Sequence, residues 1–206
     1  MKIYIIGISG MLGNTLFFNF ANNNKFQVRG SIRKKLKQKT SRYHQIIDEN
    51  IDLKKINNLK KKISDFKPNV VINCAGWIKQ KKTSKKDALY LNKEFPLRLD
   101  NYLKKKNIKL IHFSTDCVFD GRKGNYEIID KSNARDLYGY SKSQGEIISK
   151  NCLVIRTSII GHEIKTSHGL LEWFLKQQKF CDGYSNVFFS GISTFEVYKF
   201  LEKILK

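Results

Sequence analysis

The chain has 206 residues, with 39 Lys and Arg against 18 Asp and Glu, for a formal net charge of +21. That length suits one domain, or one domain with part of a second, and the 41% apolar and 12% aromatic content excludes a wholly disordered chain. Two prolines and no repeated block exclude collagen-like and Pro-rich architectures, and no stretch approaches the roughly 18–20 uninterrupted apolar residues of a membrane span.

Residues 2–6 (KIYII) form a short apolar run ending in Gly7, which predicts a buried strand. From Met11 to about Ala21 the pattern becomes helical. Between the two lies Gly7-Ile8-Ser9-Gly10-Met11-Leu12-Gly13, a GxxGxxG run at a strand-to-helix turn. Gly7 permits the tight turn, Gly10 lets backbone approach a pyrophosphate, and Gly13 allows close helix–strand packing. The free N–H groups of the helix start then face the phosphates. An ordinary glycine-rich turn has the same composition, but its place after the very first strand favours a dinucleotide site.

Residues 26–32 predict the second strand, whose end normally meets the adenosine ribose. A 2′-hydroxyl favours an acid there and a 2′-phosphate favours Arg. The chain reads Gly30-Ser31-Ile32-Arg33-Lys34, with no carboxylate until Asp48, so NADP(H) is preferred and NAD(H) remains open. Arg33 and Lys34 are also what a very basic chain would carry on its surface. A short third strand is expected at 45–47, followed by Asp52-Leu53 at the adenine edge and a charged helix over 53–65.

Pro68 precedes VVINCAG, a strand apolar enough to be buried on both faces, ending in Cys74-Ala75-Gly76 where backbone would pass close to a cofactor. A helix is expected over about 84–106, a strand over 109–115, a loop at 120–125, a helix over 136–149 and a strand over 152–158. Strands alternating with helices predict an α/β fold with a doubly wound parallel sheet. After Ser158 the alternation loosens. An amphipathic helix (168–178), a short strand (186–191) and a terminal helix over Thr194–Leu205 are expected, the last with Phe195, Val197, Tyr198, Leu201 and Leu205 on one apolar face. The expected division is a Rossmann-type cofactor domain over 1–158 and a short, incomplete substrate lobe over 159–206.

Tyr138 and Lys142 stand four residues apart, on one face of the 136–149 helix. A free tyrosine titrates near pH 10, too high for efficient proton transfer at neutral pH, and a neighbouring ammonium lowers that value. Such a pair is common by chance and gains meaning from Ser114-Thr115-Asp116-Cys117-Val118-Phe119-Asp120-Gly121 at the end of the fifth strand.

The charge has two readings. Of the basic residues 32 are Lys and 7 Arg, beside 17 Asn, the bias of an AT-rich coding sequence rather than of an Arg-rich nucleic-acid surface, so no nucleic-acid partner is expected. A positive field would instead attract an anionic small molecule. The N-terminus is a poor signal peptide, no membrane association is expected, and a soluble cytoplasmic protein is. The four cysteines show no CxxC pair and read as free thiols.

Taken in order, GxxGxxG, NCAG, STDxVFDG, YxxxK followed by Gly145-Glu146, and RTS resemble the extended short-chain dehydrogenase/reductase superfamily. Within it, residues 1 to about 160 are similar to the dTDP-4-dehydrorhamnose reductase branch of sugar-nucleotide reductases. The resemblance implies an NAD(P)-dependent oxidoreductase acting on the 4-keto group of a nucleotide-activated deoxysugar, in the biosynthesis of cell-surface polysaccharide sugars. It implies Thr115, Tyr138 and Lys142 as the catalytic set. Tyr138 would protonate the keto oxygen, Lys142 would lower the Tyr138 pKa and hold the nicotinamide ribose, and Thr115 would orient the carbonyl. Asp116, Cys117, Thr157 and Ser158 would lie by the sugar.

Three departures stand out. Cys117 occupies a position where the family commonly has Tyr. Asn14 and Thr15 stand where some members carry a glutamate linked to a metal at a dimer contact, so no metal is expected and a homodimer stays open. The chain is also short for the family. A 4,6-dehydratase is disfavoured, because Cys117 cannot replace the Glu of its Asp-Glu pair. A 4-epimerase, or a non-catalytic regulatory subunit of the same fold, remains an alternative.

Overall fold

The structure is a computed structural model and describes residues 1–35, 42–164 and 167–206. Six parallel strands form one sheet in the order β3-β2-β1-β4-β5-β6. They are β1 (Lys2–Ile6), β2 (Gln27–Ser31), β3 (Ile47–Asp48), β4 (Val70–Asn73), β5 (Lys109–Ser114) and β6 (Cys152–Arg156). Helices α1 (Met11–Ala21), α2 (Ile56–Phe66), α3 (Lys85–Leu89), α4 (Phe95–Lys104) and α5 (Leu137–Ser143) connect them. This is the doubly wound arrangement expected, and its strand order reverses between β1 and β4, where the crevice of such sheets opens.

The central strands are apolar on both faces because both are covered. Ile3 and Ile5 pack with Leu16, Phe17 and Phe20 of α1, whereas Tyr4 and Ile6 pack with Leu59 and Ile63 of α2 and Leu99 of α4. Asp48, the first described carboxylate after β2, is buried, receives the Tyr4 hydroxyl at 2.9 Å, and lies 3.3 Å from both Arg29 Nε and Lys62 Nζ. It holds the sheet edge to α2 and is committed to the fold.

Three elements differ from expectation. The single helix over 84–106 is divided by a π-helical turn at Tyr90–Glu94. Pro96 explains it: with no N–H, it leaves the Asn92 carbonyl without its helical donor, and the turn widens. The 136–149 helix stops at Ser143, and just beyond it Gly145 passes so close to the Asn92 carbonyl that a Cβ there would lie 1.8 Å from its oxygen. The strand expected at 186–191 does not form; Ile192–Ser193 (β8) pairs instead with Ile159–Ile160 (β7), and Val187, Phe188 and Phe189 are exposed.

Beyond the sheet, α6 spans only Leu170–Leu175, with Trp173 and Phe174 exposed. Helix α7 (Thr194–Ile204) lies against α1, and Val197, Tyr198 and Leu201 join the core on that face. Tyr198 meets Phe20 edge-on at 4.9 Å, and the Thr15 and Thr194 hydroxyls are 3.1 Å apart. Phe195 is 47% exposed and stays off the packed face.

Candidate active site

The glycine turn is built as its spacing implies. Gly7 adopts φ +83°, in the left-handed region that favours glycine, and the Gly7 and Ile8 amides both donate to Ser31 O at 3.2 Å. A Cβ on Gly13 would sit 2.3 Å from Gly7 O, so α1 can seat on the turn only without one. Gly10 begins α1 with no side-chain cap and no acid in the first turn, which leaves donors and a positive helix end facing the crevice. A Cβ on Gly10 meets nothing nearer than 3.5 Å; its backbone is open to a ligand. Ser9 is exposed and Met11 half-buried at the same mouth, whereas the Leu12 side chain points into the core, so only its backbone is available there.

Arg33 and Lys34 are exposed just past the end of β2. Asp52 Oδ1 accepts the Lys54 amide at 3.0 Å, and Leu53 O accepts the Tyr90 hydroxyl at 3.0 Å, which fixes the loop after β3. On β4, Asn73 Oδ1 accepts the Ala75 amide at 3.1 Å and shapes the Cys74-Ala75-Gly76 turn. A Cβ on Gly76 would lie 3.1 Å from Asn92 Oδ1 and 3.8 Å from Lys142 Nζ, so this turn runs directly beside α5.

At the end of β5, Thr115 is almost buried; its hydroxyl donates to Asp116 Oδ1 at 3.1 Å and accepts the Cys117 amide at 3.2 Å. Ser158 donates to the same Asp116 oxygen at 2.6 Å, and Thr157 turns its hydroxyl to Ser158 O. Helix α5 comes up against this corner because residue 139 is glycine: a Cβ there would lie 2.1 Å from Cys117 O. The Asp136 carboxylate caps α5 through the Tyr138 and Gly139 amides, at 3.0 and 3.2 Å. These contacts bring Tyr138 beside Thr115, under the edge of Trp77 with ring centroids 6.2 Å apart.

Burial holds the Tyr138 phenol above its ordinary value; the Thr115 hydroxyl opposes this, while Cys117, Asp116 and Asp136 add to it. The net shift of the Tyr138 phenol is upward, because burial outweighs what lowers it. The Lys142 ammonium is buried and donates to Phe113 O, and burial brings its pKa down to about 8. Beneath it, burial first and Lys142 second push His112 to about 3, so this imidazole is neutral. Since Asn73 Oδ1 accepts the Ala75 amide, Asn73 Nδ2 is the donor to His112 Nδ1, at 3.1 Å.

Burying the Lys142 ammonium costs stability. At pH 7 the cost is of order 2–3 kcal/mol, from the depression of its pKa. Between pH 8 and about 10.5 the unfolded chain keeps a proton that the folded chain has lost, so this cost falls as pH rises. Lys142→Met is therefore expected to resist urea better than the parent at pH 7, with the advantage shrinking towards pH 10.

Residue-pattern reasoning missed Asn92. This fully buried side chain accepts the Trp77 amide at 2.7 Å and donates to Trp77 O at 3.1 Å and to Ser141 Oγ at 2.9 Å. It ties the loop after β4 to α5, and Pro96 was the available signal. Lys79, 3.2 Å from Asp136 and 5.9 Å from the Tyr138 ring centre, was also missed among so many lysines. Among the described residues no cluster of three or more His, Cys, Asp or Glu is placed to hold a metal, and no helix is long and apolar enough to cross a membrane.

Comparison with known proteins agrees with this layout. The chain is 27% identical over 164 residues to dTDP-4-dehydrorhamnose reductase of Aggregatibacter actinomycetemcomitans, covering 76% of this chain and 51% of that one. It is 26% identical over 170 residues to methionine adenosyltransferase 2 subunit beta of Bos taurus, covering 80% and 48%. The chain thus spans about half the length of the curated relatives it matches. Among solved structures, dTDP-4-dehydrorhamnose reductase of Bacillus anthracis in complex with NADP superimposes with a TM-score of 0.78, at 20% identity, over 99% of this chain and 70% of that one. The Bordetella bronchiseptica enzyme WbmG in complex with NAD gives 0.80, at 18% identity, over 100% and 69%. A family model described as the RmlD substrate binding domain matches residues 1–179, and a match over so much of the chain makes it a member of that family.

Proposed function

We propose that this chain carries the cofactor-binding part and the catalytic set of an NADPH-dependent reductase acting on the 4-keto group of a nucleotide-activated deoxysugar. The observation that carries this reading is the meeting of Thr115, Tyr138 and Lys142 at the strand ends beside the glycine turn. A nicotinamide cofactor fits the residues present, given the open Gly10 backbone, the uncapped start of α1, and the small Cys74–Gly76 turn running to Lys142. When bound, that group supplies the hydride. Gly7, Ser9, Gly10 and the Met11–Gly13 backbone would take its phosphates, Arg33 a 2′-phosphate, and Asp52 and Leu53 its adenine edge. Tyr138, kept protonated by its burial, gives its proton to the oxygen of the substrate carbonyl. Lys142 stabilises the phenolate left behind and holds the ribose. Residues 159–206 would form part of the substrate lobe, beside Cys117 and Ser158.

Two measurements test this. Turnover with 4-keto-6-deoxy sugar nucleotides of each common base, at ~1–1,000 per second, would support it, and cofactor binding with no turnover on any of them would overturn the reductase reading. By calorimetry, Arg33→Ala is expected to weaken NADPH binding by about 1–3 kcal/mol, the range of a charge-assisted contact, with NADH hardly affected. Tighter binding of NADH than NADPH by the parent chain would overturn the preference.

A second reading has its own support. The relatives named methionine adenosyltransferase 2 subunit beta match as much of the chain as the reductase does. A non-catalytic, cofactor-binding subunit is the function that binding without turnover would favour.

A further inference from the structure

Helices α2 and α4 cover the face of the sheet opposite α1, where Leu59 and Ile63 of one pack in the same cluster as Leu99 and Leu103 of the other. Along their outer side runs a groove of about 770 Å³, within the size range of small-molecule sites. Five cations line it, Lys54, Lys55 and Lys60 on the α2 side and Arg98 and Lys105 on the α4 side, and no acid does. It shares no residue with the glycine turn or with the corner that holds Thr115 and Tyr138.

The charges of α2 are sorted by face. Lys61 pairs with Asp65 and Lys62 with the buried Asp48, both at 3.3 Å, and neither lysine lines the groove. Lys55 and Lys60 do line it and form no ion pair with any described residue, and the same holds for Lys105 on the opposite wall. Lys54 and Arg98 are partnered at the margin, by Asp87 at 2.8 Å and Glu94 at 3.5 Å. Tyr102 joins the two walls: its hydroxyl donates to Lys60 O at 2.9 Å and lies 2.7 Å from Ser64 Oγ, and the Lys60 ammonium stands 5.3 Å from its ring centre. Asn57, Asn58 and Asn101 add carboxamides that bond to no described residue, each with two N–H donors to offer. Charges of one sign on the walls of a cleft focus their field, and here the fold leaves three of them uncompensated.

We propose that the α2–α4 groove is a second anion site, which takes the polyphosphate chain of a nucleotide-sized molecule and is separate from the cofactor crevice. Ammonium groups on both walls would meet phosphate oxygens, with the three carboxamides donating between them. A compact polyphosphate gathers several negative charges within one small-molecule volume, which is what a bounded groove with facing cations rewards. A nucleic-acid strand is the poorer match, because four of the five cations are lysines and lack the planar fork with which arginine grips backbone and bases.

The test is a nuclear magnetic resonance titration of the isotope-labelled full chain with sodium tripolyphosphate and with ATP, at about 0.15 M salt, where loose surface attraction is screened. ATP can also enter the cofactor crevice, so the readout is the side-chain amide resonances of Asn57, Asn58 and Asn101 rather than total binding. Both probes are expected to move these resonances together, with saturation below ~1 mM. Lys55→Gln, Lys60→Gln and Lys105→Gln combined are expected to weaken that binding by about tenfold or more. Lys199→Gln, Lys203→Gln and Lys206→Gln combined remove the same charge at α7, on the other face of the sheet, and should change it by less than threefold. Lys105→Glu alone, at an exposed position, is the gentler variant if the first triple does not fold, and should weaken binding at least threefold. Amides that stay still, shifts that never saturate, or equal losses in the two triple variants would overturn the proposal. Tighter binding there of a single-stranded oligonucleotide than of ATP would also overturn it, and would assign the groove to nucleic acid. None of these readouts involves turnover, so failure of the reductase reading and failure of this one are told apart.

Discussion

Tyr138→Phe is expected to lower the rate of keto-sugar reduction by about 10²–10⁴-fold, the usual worth of a positioned general acid. NADPH affinity should change by less than threefold. The substitution keeps the ring and its edge contact with Trp77, so the walls of the site remain. What it removes is the Tyr138 O–H, held next to Thr115 and one helical turn from Lys142. Steady-state kinetics beside calorimetry separate the two effects, and near-full activity in the variant would remove Tyr138 from the mechanism. Lys142→Ala should differ in kind, weakening cofactor binding and turnover together, because the ammonium is assigned both to the ribose and to the phenolate.

The second large effect is expected in the glycine turn, where two glycines are needed for different reasons. Gly13→Ala places a methyl group 2.3 Å from Gly7 O and 2.8 Å from Gly7 C, both backbone atoms with no room to give. Helix α1 has to shift away from β1, at a cost of about 1–3 kcal/mol for overpacking, set against the better helix propensity of Ala. A Tm lower by roughly 3–10 °C follows for a chain of this size. The shift also moves the amides at the start of α1, so NADPH binding should fall at least tenfold. Gly10→Ala is the contrasting case: its methyl meets no protein atom nearer than 3.5 Å, so Tm should hold while NADPH binding falls. An unchanged Tm in Gly13→Ala would refute the packing role, and unchanged NADPH affinity in Gly10→Ala would refute the phosphate role.

The sheet was legible from sequence because its central strands β1 and β4 are short apolar runs buried on both faces and punctuated by glycine or a proline. Their order follows from alternation with helices. The candidate site was legible wherever its residues sit at a strand end, as at Gly7, Thr115 and the Cys74–Gly76 turn. What escaped depends on neighbours distant in sequence. Asn92 matters because Trp77 and Ser141, 15 and 49 residues away, converge on it. Gly139 and Gly145 look like ordinary helix residues until Cys117 O and Asn92 O are placed against them. The segment around Phe188 has strand-forming residues but lies exposed; the local partner, Ile159–Ile160, pairs with Ile192–Ser193 instead. The Tyr138–Lys142 spacing gave their shared face, but not the depth at which burial governs both titrations.

The widened turn at Tyr90–Glu94 also bears on which changes of chain length this fold can absorb. A π turn amounts to an α-helix with one residue added, and each residue of a helix accounts for about 100° of rotation. Deleting one residue there would restore a regular helix but rotate all that follows, carrying Phe95, Leu99 and Leu103 off the face they bury, or else turning Asn92 away from Trp77 and Ser141. Substitutions at the exposed positions of this helix are cheap by comparison. Gains and losses of residues in natural variants should therefore avoid 85–104 and collect in exposed loops such as 120–125, where Gly121 and Gly124 have open space around them.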